Sequence, residues 1–288
     1  LTAITTVIDV TPKAYAGNCP KPLIETISKL SSTRSPAIMR KTVLALLLAA
    51  SGVSAHAALN TGDIAFTAFN ADEDGWAIVA LANINANTVV HFTDNTWNGT
   101  AFANTEAAQT WNSGANVIQA GTVIRFTHVD SVATIGVSKG SISFASTANP
   151  GLNATNETLY AYQGAAWNAS PTSFLAAITT ATSGFGNSTF GVLTNTGLTD
   201  GGSAVAITPS TDFGQYTGLR SGQNSFAGYR PLVNANANWI NTTSGDQALT
   251  VPNTTAFAIT AVPEPKNYAM LLAGLGLMGF IARRRNSR

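Results

Sequence analysis

The chain has 288 residues, of which 45 % are hydrophobic and 10 % charged, with a formal net charge of +1 and a single cysteine. The charge is unevenly spread: residues 58–262 hold four basic and eleven acidic side chains, a net of −7. That excess excludes a nucleic-acid interface, which rests on basic side chains, and suits cation binding or a soluble surface. Cys19 lies outside this segment, so no disulfide stabilises it.

In chain order, residues 1–38 read as an upstream translation artefact. They begin with Leu1 and carry Cys19 and three prolines between Pro12 and Pro22. Met39 then opens a secretory signal, residues 39–57. Met39-Arg40-Lys41 is the charged start, Thr42 to Ala50 the apolar stretch, and Ala55-His56-Ala57 the small-x-small cleavage site. Export is expected to leave a chain that begins at Ala58.

Residues 58–251 are rich in Ala, Thr, Asn, Gly and Ser, interspersed with β-branched and aromatic residues. The spacing predicts an all-β, sandwich-like single domain with one or two short helices. Asp63 to Phe69 alternates, placing Ile64, Phe66 and Ala68 on one face. Trp76 to Ala82 is almost wholly apolar and reads as a central strand. Thr88–Thr93, Thr122–Phe126, Ser141–Phe144, Thr158–Tyr162, Ser203–Thr208, Leu249–Val251 and Ala256–Thr260 are further strand candidates. Short helices are predicted at Ser173 to Ile178 and from Pro231, a good first-turn residue. Residues 252–262 read as a last strand and a stem.

Asn70-Ala71-Asp72-Glu73-Asp74-Gly75 is the sharpest constellation in the domain. Asn70, Asp72 and Asp74 are oxygen-bearing side chains at alternate positions, followed by glycine, as in the first half of an EF-hand calcium loop. The twelfth position is Leu81, where that loop needs a bidentate Glu. The same residues also suit an acidic turn between two strands. Calcium is therefore a candidate cofactor, with Asp94 or Glu106 as added ligands. His91 and His128 have no zinc-ligand pair or nucleophile elbow near them. Glu106 and Asp94 form a candidate carboxylate pair for glycoside cleavage. Trp97, between Asn95-Thr96 and Asn98-Gly99, is the tryptophan expected to be exposed and able to stack on a sugar ring.

The stretch Gly62-Asp63-Ile64-Ala65-Phe66-Thr67-Ala68-Phe69-Asn70-Ala71-Asp72, with Phe92-Thr93-Asp94-Asn95 and Trp97, is similar to an N-terminal module of many secreted bacterial proteins. The resemblance covers about residues 59–258, most strongly before 130, and implies fold and location but no activity.

The tail, residues 263–288, has three parts. Pro263-Glu264-Pro265 lacks backbone donors at both prolines and stays extended. An uncharged run from Tyr268 to Ala282 follows, with Leu271, Leu272, Leu275, Leu277, Phe280 and Ile281 as its bulk. It is expected to be a C-terminal transmembrane helix, whereas the signal is expected to be an N-terminal helix removed on export. Fifteen residues make roughly 22 Å of helix against a hydrocarbon layer of about 30 Å. Lys266 and Arg285 would narrow that gap by reaching to the headgroups. Arg283, Arg284 and Arg285 would hold the end in the cytoplasm. The tail resembles the PEP-CTERM sorting signal of Gram-negative bacteria. The resemblance implies handling by an exosortase, a membrane-embedded cysteine transpeptidase-like enzyme. It also implies transit through the inner membrane and a cell-surface or extracellular destination, often beside exopolysaccharide.

Together these features lead us to expect a non-enzymatic structural or adhesive surface protein. A carbohydrate-binding module and a weak glycan hydrolase are the alternatives.

Overall fold

The structure, a computed structural model, describes residues 58–260 and 265–286. The signal peptide with Ala55 and Ala57, and the motif residues Pro263 and Glu264, lie outside them.

Fourteen strands follow in chain order. They are β1 (Ile64–Asn70), β2 (Gly75–Ala80), β3 (Val89–Thr93), β4 (Ala108–Asn112), β5 (Val123–Thr127), β6 (Gly136–Val137) and β7 (Ser141–Ser146), followed by β8 (Thr158–Gln163), β9 (Ser173–Thr179), β10 (Gly186–Asn187), β11 (Gly191–Val192), β12 (Ala204–Ala206), β13 (Phe213–Tyr216) and β14 (Trp239–Thr242). Helix α1 is a single turn, Arg230–Val233, and helix α2 spans Pro265–Asn286. One six-stranded sheet runs β14-β13-β1-β2-β5-β6 and the other β12-β9-β8-β3-β4-β7, with β10 and β11 as a separate ribbon. All pairings are antiparallel except β12 with β9.

The two sheets share one apolar core. Phe92 of the second sheet meets Phe66, Trp76 and Phe126 of the first, with ring centroids 6.4, 5.1 and 4.9 Å away. A bulge makes the first sheet fit. Pairing runs Phe66 to Ile78 and then Ala68 to Ala77, which leaves Thr67 as the extra residue. Phe69 sits opposite Trp76, so Phe69, not Ala68, shares the core face with Ile64 and Phe66. Strict alternation predicts the reverse, because it contains no bulge.

The second sheet is covered on its outer face as well. Tyr160, Tyr162, Phe174 and Leu198 form a second buried cluster with Trp97. This layer exists because the 97–102 and 190–198 loops fold over β8 and β9.

Several expected elements differ. Ser173 to Ile178 is strand β9, not a helix: it pairs with β8 on one side and β12 on the other. Two edge partnerships override the helix preference of Leu and Ala. Leu249–Val251 and Ala256–Thr260 form no regular strand; the latter makes one bridge, Gln223 to Ile259. The stem is nonetheless fastened. Phe257 donates its N–H to Gly121 O, and the Arg220 guanidinium lies 4.8 Å from the Phe257 ring centre. Arg220 also donates to Thr255 O and Asn253 O. The expected turn at Pro231 appears as α1.

The tail does form a helix, α2, of 22 residues. Among the described residues, however, no helix is long and apolar enough to cross a membrane. The apolar run is short and diluted by Gly274, Gly276 and Gly279. The expected membrane span is thus not shown, although Leu271, Leu272, Leu275 and Leu277 are all exposed along α2.

Phe92→Ala is expected to lower the unfolding free energy of the exported protein by about 3–5 kcal/mol. Leu249→Ala, at a side chain 95 % exposed, is expected to stay within about 0.5 kcal/mol. Urea denaturation checks both, and equal effects would contradict the assigned core.

Candidate functional site

Antiparallel pairing gathers the ends of three interior strands at one end of the second sheet. The end of β3 lies beside the start of β4 and the start of β8, since Thr93 pairs with Ala108 and with Tyr160. Asp94 follows β3, Glu106 precedes β4, and Glu157 precedes β8. The three carboxyls therefore line one cavity of about 260 Å³, with Thr96, Asn153, Asn156, Thr158, Thr189 and Phe190.

Asn95 fixes this corner. Its Oδ1 accepts from the N–H groups of Thr105 (2.7 Å) and Glu106 (2.9 Å). Its Nδ2 donates to Thr93 Oγ1 and to Glu106 O and Ala107 O, at 2.8–3.1 Å. The Glu157 carboxylate accepts from the Asn153 N–H and Nδ2 and from the Thr158 N–H. Asp94 is only 7 % exposed, and its Oδ1 is buried without a hydrogen-bond partner.

These surroundings disfavour negative charge. Burial, then the nearby Glu157 and Glu106, push Asp94 up to about 9, against a weaker pull from its own backbone N–H. Burial raises Glu157 to about 7, opposed by its hydrogen bonds from Asn153 and Thr158. Burial also moves Glu106 upward.

The β1–β2 turn holds the other acidic group. Asn70 Oδ1 accepts from the N–H groups of Asp72 and Glu73, while its Nδ2 donates to Gln247 O. Asp72 Oδ2 accepts from Gln247 N–H (2.7 Å), and Asp74 Oδ1 from Leu152 N–H (2.6 Å). The oxygens of this turn thus reach separate partners, tying the hairpin to the 247–250 and 152 segments. Asp74 is held at φ +54°. Burial raises it to about 6, with Asp130 adding to the shift. Glu73 pairs with Arg125. Among the described residues, no three His, Cys, Asp or Glu side chains are grouped so as to hold a metal ion.

Trp97 is corrected: it is 6 % exposed, inside the outer aromatic cluster, and its Nε1 donates to Thr194 O. The Asn- and Gly-rich neighbourhood that suggested exposure is a loop folded back onto β8. Trp76, Trp111 and Trp239 are also buried; Trp167 is partly exposed. His91 Nδ1 lies 3.0 Å from Thr110 Oγ1, and its burial lowers its pKa. Among the described residues, no carboxylate hydrogen-bonds to it.

Sequence reasoning singled out Asp94 and Glu106 but missed Glu157. The available signal was that Glu157 stands just before the strand candidate at Thr158, as Asp94 stands just after that ending at Thr93.

The model of the PEP-CTERM protein-sorting motif matches residues 261–285. The chain carries a PEP-CTERM sorting motif. The match begins just beyond the stem pinned by Phe257 and Arg220 and includes Pro263, Glu264, Pro265, the apolar run and Arg283 to Arg285. No curated protein and no solved structure matches the chain. The PEP-CTERM motif marks an exported protein processed at the membrane by exosortase.

A carboxyl whose folded pKa exceeds its unfolded value binds its proton more tightly when folded. Its contribution to stability is complete below the unfolded pKa and is lost as pH rises through the folded one. In chelator, the melting temperature is therefore expected to fall between about pH 5 and pH 9, through the values near 7 for Glu157 and 9 for Asp94. Asp94→Asn should remove much of that slope. Scanning calorimetry across this range checks it; a flat or rising profile for the unaltered protein would contradict the desolvated cluster.

Proposed function

We propose that the β domain is a non-enzymatic structural or adhesive component of the cell surface or exopolysaccharide matrix, with the tail as its delivery signal. The observation that carries this reading is the PEP-CTERM motif at 261–285, set directly behind a folded domain. The stem up to Thr260, which donates to Gln223 O, belongs to that domain. Release at the motif would then free an intact sandwich and leave only the helical tail behind.

The cavity favours one second reading. Asp94, Glu106 and Glu157 share it, and Glu157 is raised to about 7, a value that suits a general acid near neutral pH. A weak glycan hydrolase would use Glu157 in this way, with Asp94 or Glu106 as its partner. The buried Trp97 gives the carbohydrate-binding alternative no such support.

In a strain lacking exosortase, the protein is expected to remain in the inner-membrane fraction at full length, and in the parent strain to reach the surface or matrix without the tail. Immunoblots of fractionated cells check this, and equal surface display in both strains would refute the delivery reading. Turnover of the producer's exopolysaccharide that is lost on Glu157→Gln would favour the hydrolase instead.

A further inference from the structure

The stem that joins the sandwich to the sorting motif is folded, yet very few side chains hold it. Of residues 253–260 only Phe257 is buried. Its ring lies 5.7 Å from that of Tyr216 and 5.0 Å from that of Tyr229, beside the Arg220 guanidinium. Around it the Phe257 N–H donates to Gly121 O, the Ala258 N–H to Arg220 O and the Thr260 N–H to Gln223 O. The Tyr229 hydroxyl donates to Ala258 O.

Two residues of the domain are shaped by the stem. Gly121 stands at φ +89°, and a Cβ there would lie 2.3 Å from Phe257 O, so only glycine lets the stem come this close. Arg220 donates to Thr255 O at 2.8 Å and Asn253 O at 3.1 Å, and its Nε is buried without a partner. Neither salt bridge among the described residues includes it. A guanidinium half-buried among rings and answered by carbonyls alone is costly, and the stem supplies two of those carbonyls.

The hold ends close to the motif. From Thr260 to Pro263 is three residues, which extend at most about 11 Å. A domain of about 200 residues has a radius of gyration of about 16 Å. An enzyme that grips an extended Pro263-Glu264-Pro265 at the membrane would therefore meet the sandwich. Freeing residues 253–260 adds eight residues, or about 26–29 Å of reach. That opening uncovers one buried ring and leaves the contacts of Phe92 with the first sheet untouched. It is a local opening, of the kind that occurs far more often than global unfolding.

We propose that residues 253–260 form a releasable latch that limits processing at the motif. While Phe257 and Arg220 hold the stem, the motif is too near the domain to be gripped; when the stem comes free, it is within reach. The latch rests on the delivery reading, since it governs exosortase action at the motif, and adds that the folded domain itself sets the rate. Processing then tracks the population of the open stem.

The test is a pulse-chase of the full chain in the producing strain, reading the half-time for loss of the tail on immunoblots. Phe257→Ala should shorten it about tenfold or more. Six Gly and Ser residues inserted between Thr260 and Ala261, which leave the latch intact and add about 20 Å of reach, should shorten it as well. Adding Phe257→Ala to the insertion should then change little. Val205→Ala, in the core away from the stem, should leave the half-time unaltered. If Phe257→Ala does not fold, Arg220→Gln takes its place. The proposal is overturned if either the latch substitution or the insertion leaves the half-time at the parental value, or if Val205→Ala shortens it equally. Loss of the tail in a strain lacking exosortase is a different outcome, which would sink the delivery reading and the latch with it.

Discussion

Phe92 is the contact on which the sandwich depends. It is the one ring of the second sheet that meets Phe66, Trp76 and Phe126 together, so it fixes how the two sheets face each other. Asp94 follows two positions later on the same chain, the spacing of residues that share a strand face. The strand that closes the core thus also delivers a carboxylate toward the buried side at its end. Glu157 relates to Leu159 and Ala161 of β8 in the same way, and Ala161 pairs directly with Phe92. The acidic cavity is in this sense a continuation of the core, with carboxyl groups where apolar side chains would otherwise stand.

That origin explains the electrostatics. Burial is the leading cause of the upward shifts of Asp94, Glu106 and Glu157, ahead of their mutual repulsion. Even Asp74, on the β1–β2 turn of the other sheet, contributes to the shift of Asp94. The buried carboxyls of the domain therefore keep their protons to higher pH than solvated ones do.

Much of this was legible in the sequence. The tail could be read because three independent features lie in fixed order within a short stretch, and each has its own physical signature. Most strands could be read because β-branched and aromatic residues alternate there. Other strands escaped. Ala108–Asn112 is too polar to announce itself, and Ser173–Thr179 has a helix-like composition that two neighbouring strands overrule. The bulge at Thr67 leaves no mark in the local pattern, since all seven residues of β1 are buried. Trp97 misled for a related reason: turn-forming neighbours describe the path of a loop, not what the loop lies upon. The cavity was half legible. Asp94 and Glu106 could be singled out, but joining them to Glu157 needs the β3–β8 pairing, which links residues 67 to 71 positions apart. The stem shows the same limit, since its Phe257 is held by Arg220 and Gly121, both distant in sequence.

The most direct measurement of the central claim is a carboxyl-carbon NMR titration of the folded protein in chelator. The account predicts that Asp94 loses its proton last, near pH 9, with Glu157 near 7. Titration of both in the ordinary carboxylate range, near pH 4, would show that these strand ends are open to water, and would contradict the picture of a buried acidic end to the sandwich.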